Sequence, residues 1–306
     1  MGFMDSISDG WTLFKDSIKF LFKKPVFLIP IFFSWVVVAS VVLYLRYYFE
    51  VPSSMELALF YIFLFMFIMT FSICIANIMM LEFMQQIESG ERISFSKALK
   101  EALFLDLIKV IPVAIVWTII WFIILILRAL TSKSRSGRGE PSARDAARTL
   151  GGAESGPFSW FGLGLSMLEK LVRMIVFLAL PAIAWENRGP FSAFRKSIEI
   201  IRKHPVQFLT TYTLTGVAAL FMAIPLVIIF YLDDAGMAFS TVFWMAVIIY
   251  EGFVWTLSIY LEQMSVGMLY LWHLKWIRNG GTGKLDSVPK PDLMDDVHEL
   301  KQSVVS

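Results

Sequence analysis

Long apolar runs constrain this chain more than any other feature, because a soluble fold of this length could not cover them. In the run 57–81, only Thr70, Ser72 and Asn77 interrupt the hydrophobic residues. Hydrophobic residues make up 57% of the 306 residues and charged residues 17%, against roughly 25% charged in an average soluble domain. We therefore predict an all-α, polytopic membrane protein whose single helical membrane domain covers residues 1–278.

Six segments have the length needed to cross a bilayer, whose hydrocarbon core of about 30 Å takes roughly 20 helical residues. We place the spans at about 26–47, 57–81, 110–127, 165–185, 208–232 and 237–272. The fourth is the hardest to assign because Glu169, Lys170 and Arg173 lie in it, and we place these charges at the level of the lipid headgroups. No cleavable signal precedes the first span, so we expect that span to be retained.

A repeated pattern introduces the spans in pairs: apolar residues recur at helical spacing in the segment before each hairpin. The clearest copy ends at Pro205 where a span begins, and the N-terminal copy ends in the same way at Pro25. Ser94 is the expected N-cap of the middle copy. The apolar stripes are Phe191, Phe194, Ile198 and Ile201; Trp11, Phe14, Ile18 and Leu21; and Phe95, Ala98, Ala102 and Leu105. We predict three repeated units, each an amphipathic interfacial helix plus a transmembrane hairpin.

The amphipathic helices have two interpretations that the sequence leaves open. Their apolar stripes either face the headgroup region of the membrane or pack against the spans. Their basic residues are candidate lipid-facing residues, but simple signals of topology would look the same. These residues are Lys15, Lys19, Lys23, Arg195, Lys196, Arg202 and Lys203.

The distribution of Lys and Arg predicts a cell-membrane protein with both termini in the cytoplasm. Most basic residues lie in the N-terminus, the second and fourth connections and the tail, whereas the first and fifth connections hold only Arg46. The polar loop 131–156 conflicts with this orientation, since six spans place it outside although it is basic. We expect an interfacial re-entrant segment around Trp160 and Phe161, and a flexible cytoplasmic tail over 279–306.

No set of residues forms a recognisable catalytic or metal site. His204, His273 and His298 are scattered, without a partner at the spacing of metal ligands. The chain has no glycine-rich phosphate loop and no nucleophile elbow. Its one cysteine, Cys74, lies in the second span, where it most simply fills space. We predict no cofactor, no enzymatic activity and no nucleic-acid partner.

The sixth span contains the sharpest polar signal, a helix face with two carboxylates. The face consists of Glu251, Trp255, Ser258 and Glu262, at steps of four, three and four. Carboxylates inside a membrane are costly and usually face a bundle interior or water, so Glu251 is a candidate for ion or proton passage. Thr211 and Thr215 of the fifth span could face it. The alternative is that a long, tilted helix brings the glutamates to the interface, which we expect for Glu262 and leave open for Glu251.

The run Glu-Asn-Arg-Gly-Pro-Phe-Ser-Ala-Phe-Arg-Lys-Ser at 186–197, leading into a span, resembles a motif of uncharacterised prokaryotic multi-pass membrane protein families. These include the membrane region that accompanies some glycerophosphodiester phosphodiesterases. The resemblance implies a helical membrane domain in a cell membrane and transfers no catalytic residue. A soluble phosphodiesterase domain is absent from the sequence, so that activity does not carry over.

Two functions fit these features. The first is a non-enzymatic membrane scaffold that organises lipids and partners, because surface helices are present and a catalytic set is lacking. Its partners would be membrane lipids, other proteins or further copies of the chain. The second is a transporter or channel for an ion or small solute, which internal repeats and Glu251 favour.

Overall fold

The computed structural model describes residues 3–50, 52, 54–88, 91–133, 160–281, 285 and 288, and within this part the chain is helical without strands. We number the helices α1 to α9. They are α1 (Phe3–Lys23), α2 (Leu28–Tyr47), α3 (Met55–Glu88), α4 (Phe95–Lys100), α5 (Leu107–Lys133), α6 (Trp160–Ala184), α7 (Pro190–Lys203), α8 (Pro205–Asp234) and α9 (Thr241–Arg278). A 3₁₀ turn at Pro25–Phe27 precedes α2, and a π-helical turn at Glu101–Leu105 links α4 to α5.

Four helices in the described residues are long and apolar enough to cross a membrane, which agrees with an all-helical membrane protein. They are Met55–Ile87, Leu107–Arg128, Pro205–Asp234 and Val242–Arg278. A fifth span results if the bent pair Ile7–Lys23 and Pro25–Val41 is counted as one. The prediction of six spans is therefore reproduced only in part. Helix α6 does not qualify because its three charged residues lie in its middle.

Several helix boundaries differ from the predicted ones, mostly because the helices extend beyond the apolar runs. Residues 131–133, predicted to begin the polar loop, are the last turn of α5. Trp160 and Phe161, predicted to form a re-entrant segment, are the first residues of the continuous helix α6. Helix α9 begins later than predicted, because Ser240 caps its N-terminus by accepting a hydrogen bond from the Phe243 backbone. The remainder of the loop prediction, 134–156, lies outside the described residues.

Helix α1 turns sharply into α2 and does not continue its direction. The two helices meet at 101° around Pro25, which cannot donate a helical backbone hydrogen bond. Helix α1 packs along α8 and α9 instead. Ser17 is fully buried with its hydroxyl 3.1 Å from that of Ser265, and the Tyr260 hydroxyl donates to the Ser17 carbonyl at 3.2 Å.

The end of the bundle at which α1, α4 and α7 lie, called here the connector end, holds most of the buried core. At this end the 3₁₀ turn before α2 contacts α3 through Phe27 and Phe83, and His204, directly before α8, contacts His273 of α9. The core consists mainly of residues 73–84 of α3, 174–183 of α6 and 259–276 of α9. Toward the opposite end, α8 and α9 are largely exposed and apolar.

The predicted stripes of the amphipathic helices are buried only in part: Phe14 of α1 is buried and Phe194 and Ile201 of α7 pack against the core, but the first residue of each stripe is exposed. In α7 the buried face consists of Ala193, Lys196, Ser197 and Ile200, whereas Phe191 is 82% exposed and Ile198 44% exposed. The middle unit behaves similarly: Ala98 and Ala102 are buried, while Leu105 is exposed. Small residues pack most closely against neighbouring helices, and this displaces the bulky apolar residues outward.

The beginning of the tail packs against the bundle, contrary to the prediction of a flexible segment from residue 279. Leu285 and Val288 are buried within the core cluster. The Trp272 indole N–H donates to the Val288 carbonyl at 3.0 Å. Of the predicted tail, residues 289–306 lie outside the described part of the chain.

Candidate functional site: a charged cluster between α6, α8 and α9

The centre of the candidate site is a two-pronged ion pair between Arg173 of α6 and Glu262 of α9. The Arg173 Nε and Nη2 atoms lie 2.7 and 2.8 Å from the two Glu262 carboxylate oxygens. Glu262 is 1% exposed. A planar guanidinium matches a carboxylate in this geometry, which gives the strongest form of charged hydrogen bond available to side chains.

Lys170 extends the cluster from α6 to α8. Its ammonium lies 3.7 Å from the Glu262 carboxylate and donates to the Tyr212 carbonyl at 2.7 Å and to the Thr215 hydroxyl at 3.0 Å. Gly216 makes this approach possible, since a Cβ there would come within 2.7 Å of the ammonium. Lys170 also lies over the Tyr212 ring, 4.9 Å from its centroid. Lys170 of α6 thus contacts both α8 and α9.

A second ion pair continues the cluster toward α5. The Arg128 guanidinium lies 2.8 Å from the Glu169 carboxylate and donates to the Ser166 hydroxyl at 3.2 Å. The three charges in the middle of α6 are thus paired with α5 and α9. Pairing lowers the cost of holding charges away from water, which explains how a helix of this composition occupies the bundle.

The distance from the charged cluster to the turn between α8 and α9 is close to the thickness of a membrane's hydrocarbon core. At a rise of 1.5 Å per residue, Thr215 is about 29 Å along α8 from Asp234. This length is close to the thickness of a hydrocarbon core, about 30 Å. Glu251, by contrast, is only about 16 Å along α9 from Ser240.

The structure brings together three of the five predicted polar residues near the cluster. Glu262 is buried and paired, and the prediction that it reaches the membrane interface stays a prediction. Thr215 contacts Lys170, and Thr211, one turn away, is fully buried. Ser258 is half-buried on the predicted face. Glu251 is exposed, and within the described residues it forms no hydrogen bond or ion pair.

Lys170 and Arg173 are the functional residues that the sequence interpretation missed. Their spacing of three places them on one side of α6, and Glu262 is the carboxylate that they share. Charged side chains inside a membrane usually pair with one another, so charges of opposite sign in two spans predict an ion pair. By spacing alone, Glu169 is a nearer partner for Arg173, because the two residues are four apart on the same helix.

A second polar cluster lies at the connector end, around a pair of histidines. The His204 Nε2 and His273 Nδ1 atoms are 2.9 Å apart, and both rings pack on Trp276. His204 is 3% exposed. Burial, together with the nearby charges of Lys203 and Lys196, lowers the pKa of His204 to about 4. His204 is therefore neutral at physiological pH.

The segment that resembles the multi-pass families begins with a polar turn, whose residues connect α5, α6, α7 and α9. Glu186 accepts hydrogen bonds from the Tyr270 hydroxyl and from Arg188, the latter at 2.6 Å. Asn187 adopts a positive φ of 54° and accepts from Lys109. Asparagine is among the few residues that take this conformation readily, so the turn depends on its identity.

The predicted lipid-facing basic residues are exposed with one exception. Lys196 is buried beside the histidine pair, 3.4 Å from the Glu199 carboxylate, because it belongs to the packed face of α7. Lys203 is exposed and forms an ion pair with the same carboxylate at 2.7 Å. The others are Lys15, Lys19, Lys23, Arg195 and Arg202, all exposed.

Within the described residues, no group of three or more His, Cys, Asp or Glu side chains is arranged to hold a metal ion. No family model, curated protein or solved structure matches the chain. The resemblance of the 186–197 run to multi-pass families consequently stays a prediction.

Proposed function

We propose that the chain is a six-span, non-enzymatic membrane scaffold that binds a protein partner or a second copy of itself through α8 and α9. The spans would be α2, α3, α5, α6, α8 and α9, in three units that each begin with an interfacial helix. Two features support a sixth crossing by α6: its charges are paired, and it lies antiparallel to α5, with Arg128 near Ser166 and Lys109 near Asn187.

The observation that carries this proposal is the uncovered hairpin of α8 and α9 with Glu251 on it. Along α8, Leu220, Phe221 and Val227 are each more than 60% exposed, and along α9 Ile249 is 66% exposed. Lipid covers such apolar side chains well but does not solvate a carboxylate at half the depth of the core. A polar group from a neighbouring membrane helix would satisfy Glu251, and interhelical hydrogen bonds of this kind drive association in membranes.

The proposed location is a cell membrane, with both termini in the cytoplasm. The connector end would then face the cytoplasm, and the turn with Asp233 and Asp234 would face outward. This assignment follows the excess of Lys and Arg in the segments of the connector end.

A transporter or channel is the second candidate, and a different observation favours it. Gly252 contacts α2 through Trp35, and Tyr250 donates to the Met222 carbonyl of α8. Glu251 lies between these contacts, on the same face as Ser258 and Glu262. If water reached this face of α9, the polar side chains on it would form a path from Glu251 to the charged cluster.

Cysteine accessibility separates the two functions. Ser258→Cys in a Cys74→Ala background, reconstituted in vesicles, should resist a membrane-impermeant thiol reagent if the protein is a scaffold. Ala235→Cys, in the exposed turn, provides the positive control. Modification of Ser258→Cys together with ion flux that Glu251→Gln abolishes would reject the scaffold in favour of the transporter.

Association of labelled copies tests the binding surface itself. Energy transfer between differently labelled proteins in vesicles, or binding of a co-reconstituted partner, should fall severalfold with Glu251→Leu and much less with Glu251→Gln, which keeps hydrogen-bonding groups. Glu50→Leu, an exposed carboxylate outside the hairpin, is the matched control. Equal association of all variants would contradict the proposed role of Glu251.

A further inference from the structure

Each of the three segments that lead into a proposed hairpin has an exposed face that carries both basic and large apolar residues. In α1 the face consists of Trp11, Lys15, Lys19 and Phe22. In α4, the π-helical turn and the start of α5, it consists of Lys97, Lys100, Phe104 and Ile108. In α7 it consists of Phe191, Arg195, Ile198 and Arg202. All twelve side chains are exposed. Within α1 and α7, successive members are three or four residues apart, which places them along one side of each helix.

One phenylalanine on each face is exposed to nearly the same extent: Phe22 by 80%, Phe104 by 77% and Phe191 by 82%. Such exposure is unusual for phenylalanine, which is among the residues most often buried. The three residues lie in the segments that precede α2, α5 and α8, at different positions within them: Phe22 near the end of α1, Phe104 in the π-helical turn and Phe191 at the start of α7.

The position of these faces suits the surface layer of a bilayer. Each lies at the connector end, in the segment that leads into a proposed span. At that level a lysine or arginine reaches lipid phosphates while a neighbouring aromatic or branched side chain enters the boundary of the acyl chains. The 101° bend between α1 and α2 directs α1 along such a surface.

We propose that these three faces form one binding surface for anionic phospholipid in the inner leaflet, with Phe22, Phe104 and Phe191 as its anchors. The charge of the faces identifies the lipid class: they contain basic residues and no acidic ones, and of these Lys97 alone forms a described ion pair, with Glu91 at 2.5 Å. The inference rests on the proposed membrane embedding, and it adds a lipid specificity that a scaffold role does not require.

The first test measures depth. An environment-sensitive fluorophore is attached to Phe22→Cys, Phe104→Cys or Phe191→Cys, each in a Cys74→Ala background, in vesicles of phosphatidylcholine and phosphatidylglycerol. Leu220→Cys, 71% exposed in the middle of α8, reports embedding, and Ala235→Cys reports water. The expected result is a blue-shifted emission at the three anchors, quenched strongly by shallow spin-labelled lipid and weakly by iodide.

The outcomes distinguish the inference from the proposed function. If Leu220→Cys is quenched by deep spin-labelled lipid while the anchors are quenched only by iodide, the lipid-binding surface is refuted and the embedding stands. Anchors shielded from both quenchers would mean that a protein covers the faces, which also overturns the inference. If Leu220→Cys itself is not quenched by lipid, the membrane proposal fails and the inference fails with it.

The second test measures lipid selectivity, as the ratio of spin-labelled phosphatidylglycerol to phosphatidylcholine immobilised by the protein. This ratio should exceed unity and fall toward unity when Arg195→Gln and Arg202→Gln, or Lys15→Gln and Lys19→Gln, are combined. Arg92→Gln with Lys203→Gln removes the same charge from exposed residues outside the faces and should leave the ratio unchanged. If the ratio fell equally in both kinds of variant, the selectivity would depend only on net charge, and a defined binding surface would be refuted.

Discussion

At the scale of single residues, Glu262 is the side chain whose loss should be most damaging. Glu262→Gln would leave the buried guanidinium of Arg173 and the ammonium of Lys170 without their shared counter-charge. Removing one partner of a buried pair typically costs about 3–5 kcal/mol. We expect the variant to unfold at a clearly lower temperature in detergent micelles.

The control for this prediction is a double variant. Arg173→Met with Glu262→Gln removes both halves of the strongest contact, so it should be more stable than the sum of the two single variants implies. Strictly additive losses would indicate that the two side chains do not interact across α6 and α9.

A pH dependence should arise from His204. An unfolded histidine takes up a proton near pH 6.5, whereas burial holds the pKa of His204 at about 4. The unfolded state therefore binds more protons between these values, and the free energy of unfolding falls as the pH falls from 6.5 toward 4. The full loss is on the order of 3 kcal/mol.

The measurement is thermal unfolding at several pH values between 6.5 and about 5, compared with His204→Asn. Glu199 does not interfere there, because the hydrogen bond from Lys203 lowers the pKa of its carboxyl below the usual value. The variant should show a flatter dependence. An identical slope in both proteins would exclude His204 as the source.

The environment of a residue could be predicted from the sequence only where it depends on the local structure of its own helix. Glu251 and Glu262 both lie in α9, but which glutamate is buried depends on Lys170 and Arg173. These come from a helix about 89 residues earlier in the chain. Ser94 was predictable as an N-cap because capping is local, and its side chain does accept from the Lys97 backbone.

At the scale of helices, the tightest of the described glycine contacts is that of Gly252 in α9 with Trp35 of α2. A Cβ at this position would overlap the Trp35 ring, so the two helices can meet only because the residue is glycine. Gly252→Ala should push α2 away or force Trp35 from its rotamer, at a cost of about 1–3 kcal/mol. The measurement is the change in unfolding temperature.

Gly164→Ala is the matched control for this prediction. It is also a glycine within a helix, but a Cβ there would meet no other atom within 4 Å. Alanine should be neutral or stabilise α6 by up to about 1 kcal/mol, since glycine is a poor helix former. Similar losses in both variants would show that close contact is not the cause.

The existence of each helix was predictable, but the orientation of the amphipathic ones was not. Periodicity locates an apolar stripe, and in a soluble protein that stripe faces the core. Here Phe191 and Ile198 are exposed and Ser197 is buried, because both lipid and protein can cover an apolar side chain. The sequence therefore leaves the choice of face undetermined.

At the scale of the whole molecule, the six-span arrangement predicts the side on which each connection lies. Ser136→Cys and Ala235→Cys should react with an impermeant reagent from outside, and Arg92→Cys and Asn279→Cys only from the cytoplasmic side. Labelling of Ser136→Cys from the cytoplasm alone would contradict the arrangement and would make α6 a helix that does not cross.

The number of crossings was the least predictable property of the molecule. Within the described residues, length and hydropathy identify four candidate spans, and a fifth depends on how the bend at Pro25 is counted. The sixth depends on α6, whose charges are acceptable only because α5 and α9 supply partners. Composition alone does not contain that information, since pairing is a property of the assembled bundle.

The ion pair between α6 and α9 has a consequence for biogenesis. Arg173 and Glu262 are separated by 89 residues, so a ribosome completes α6, α7 and α8 before the carboxylate is made. During this interval Lys170 and Arg173 have no counter-ion from α9, and α6 on its own is too polar for stable insertion. In the proposed arrangement, the translocon or a chaperone must therefore hold α6 away from lipid until α9 has been synthesised.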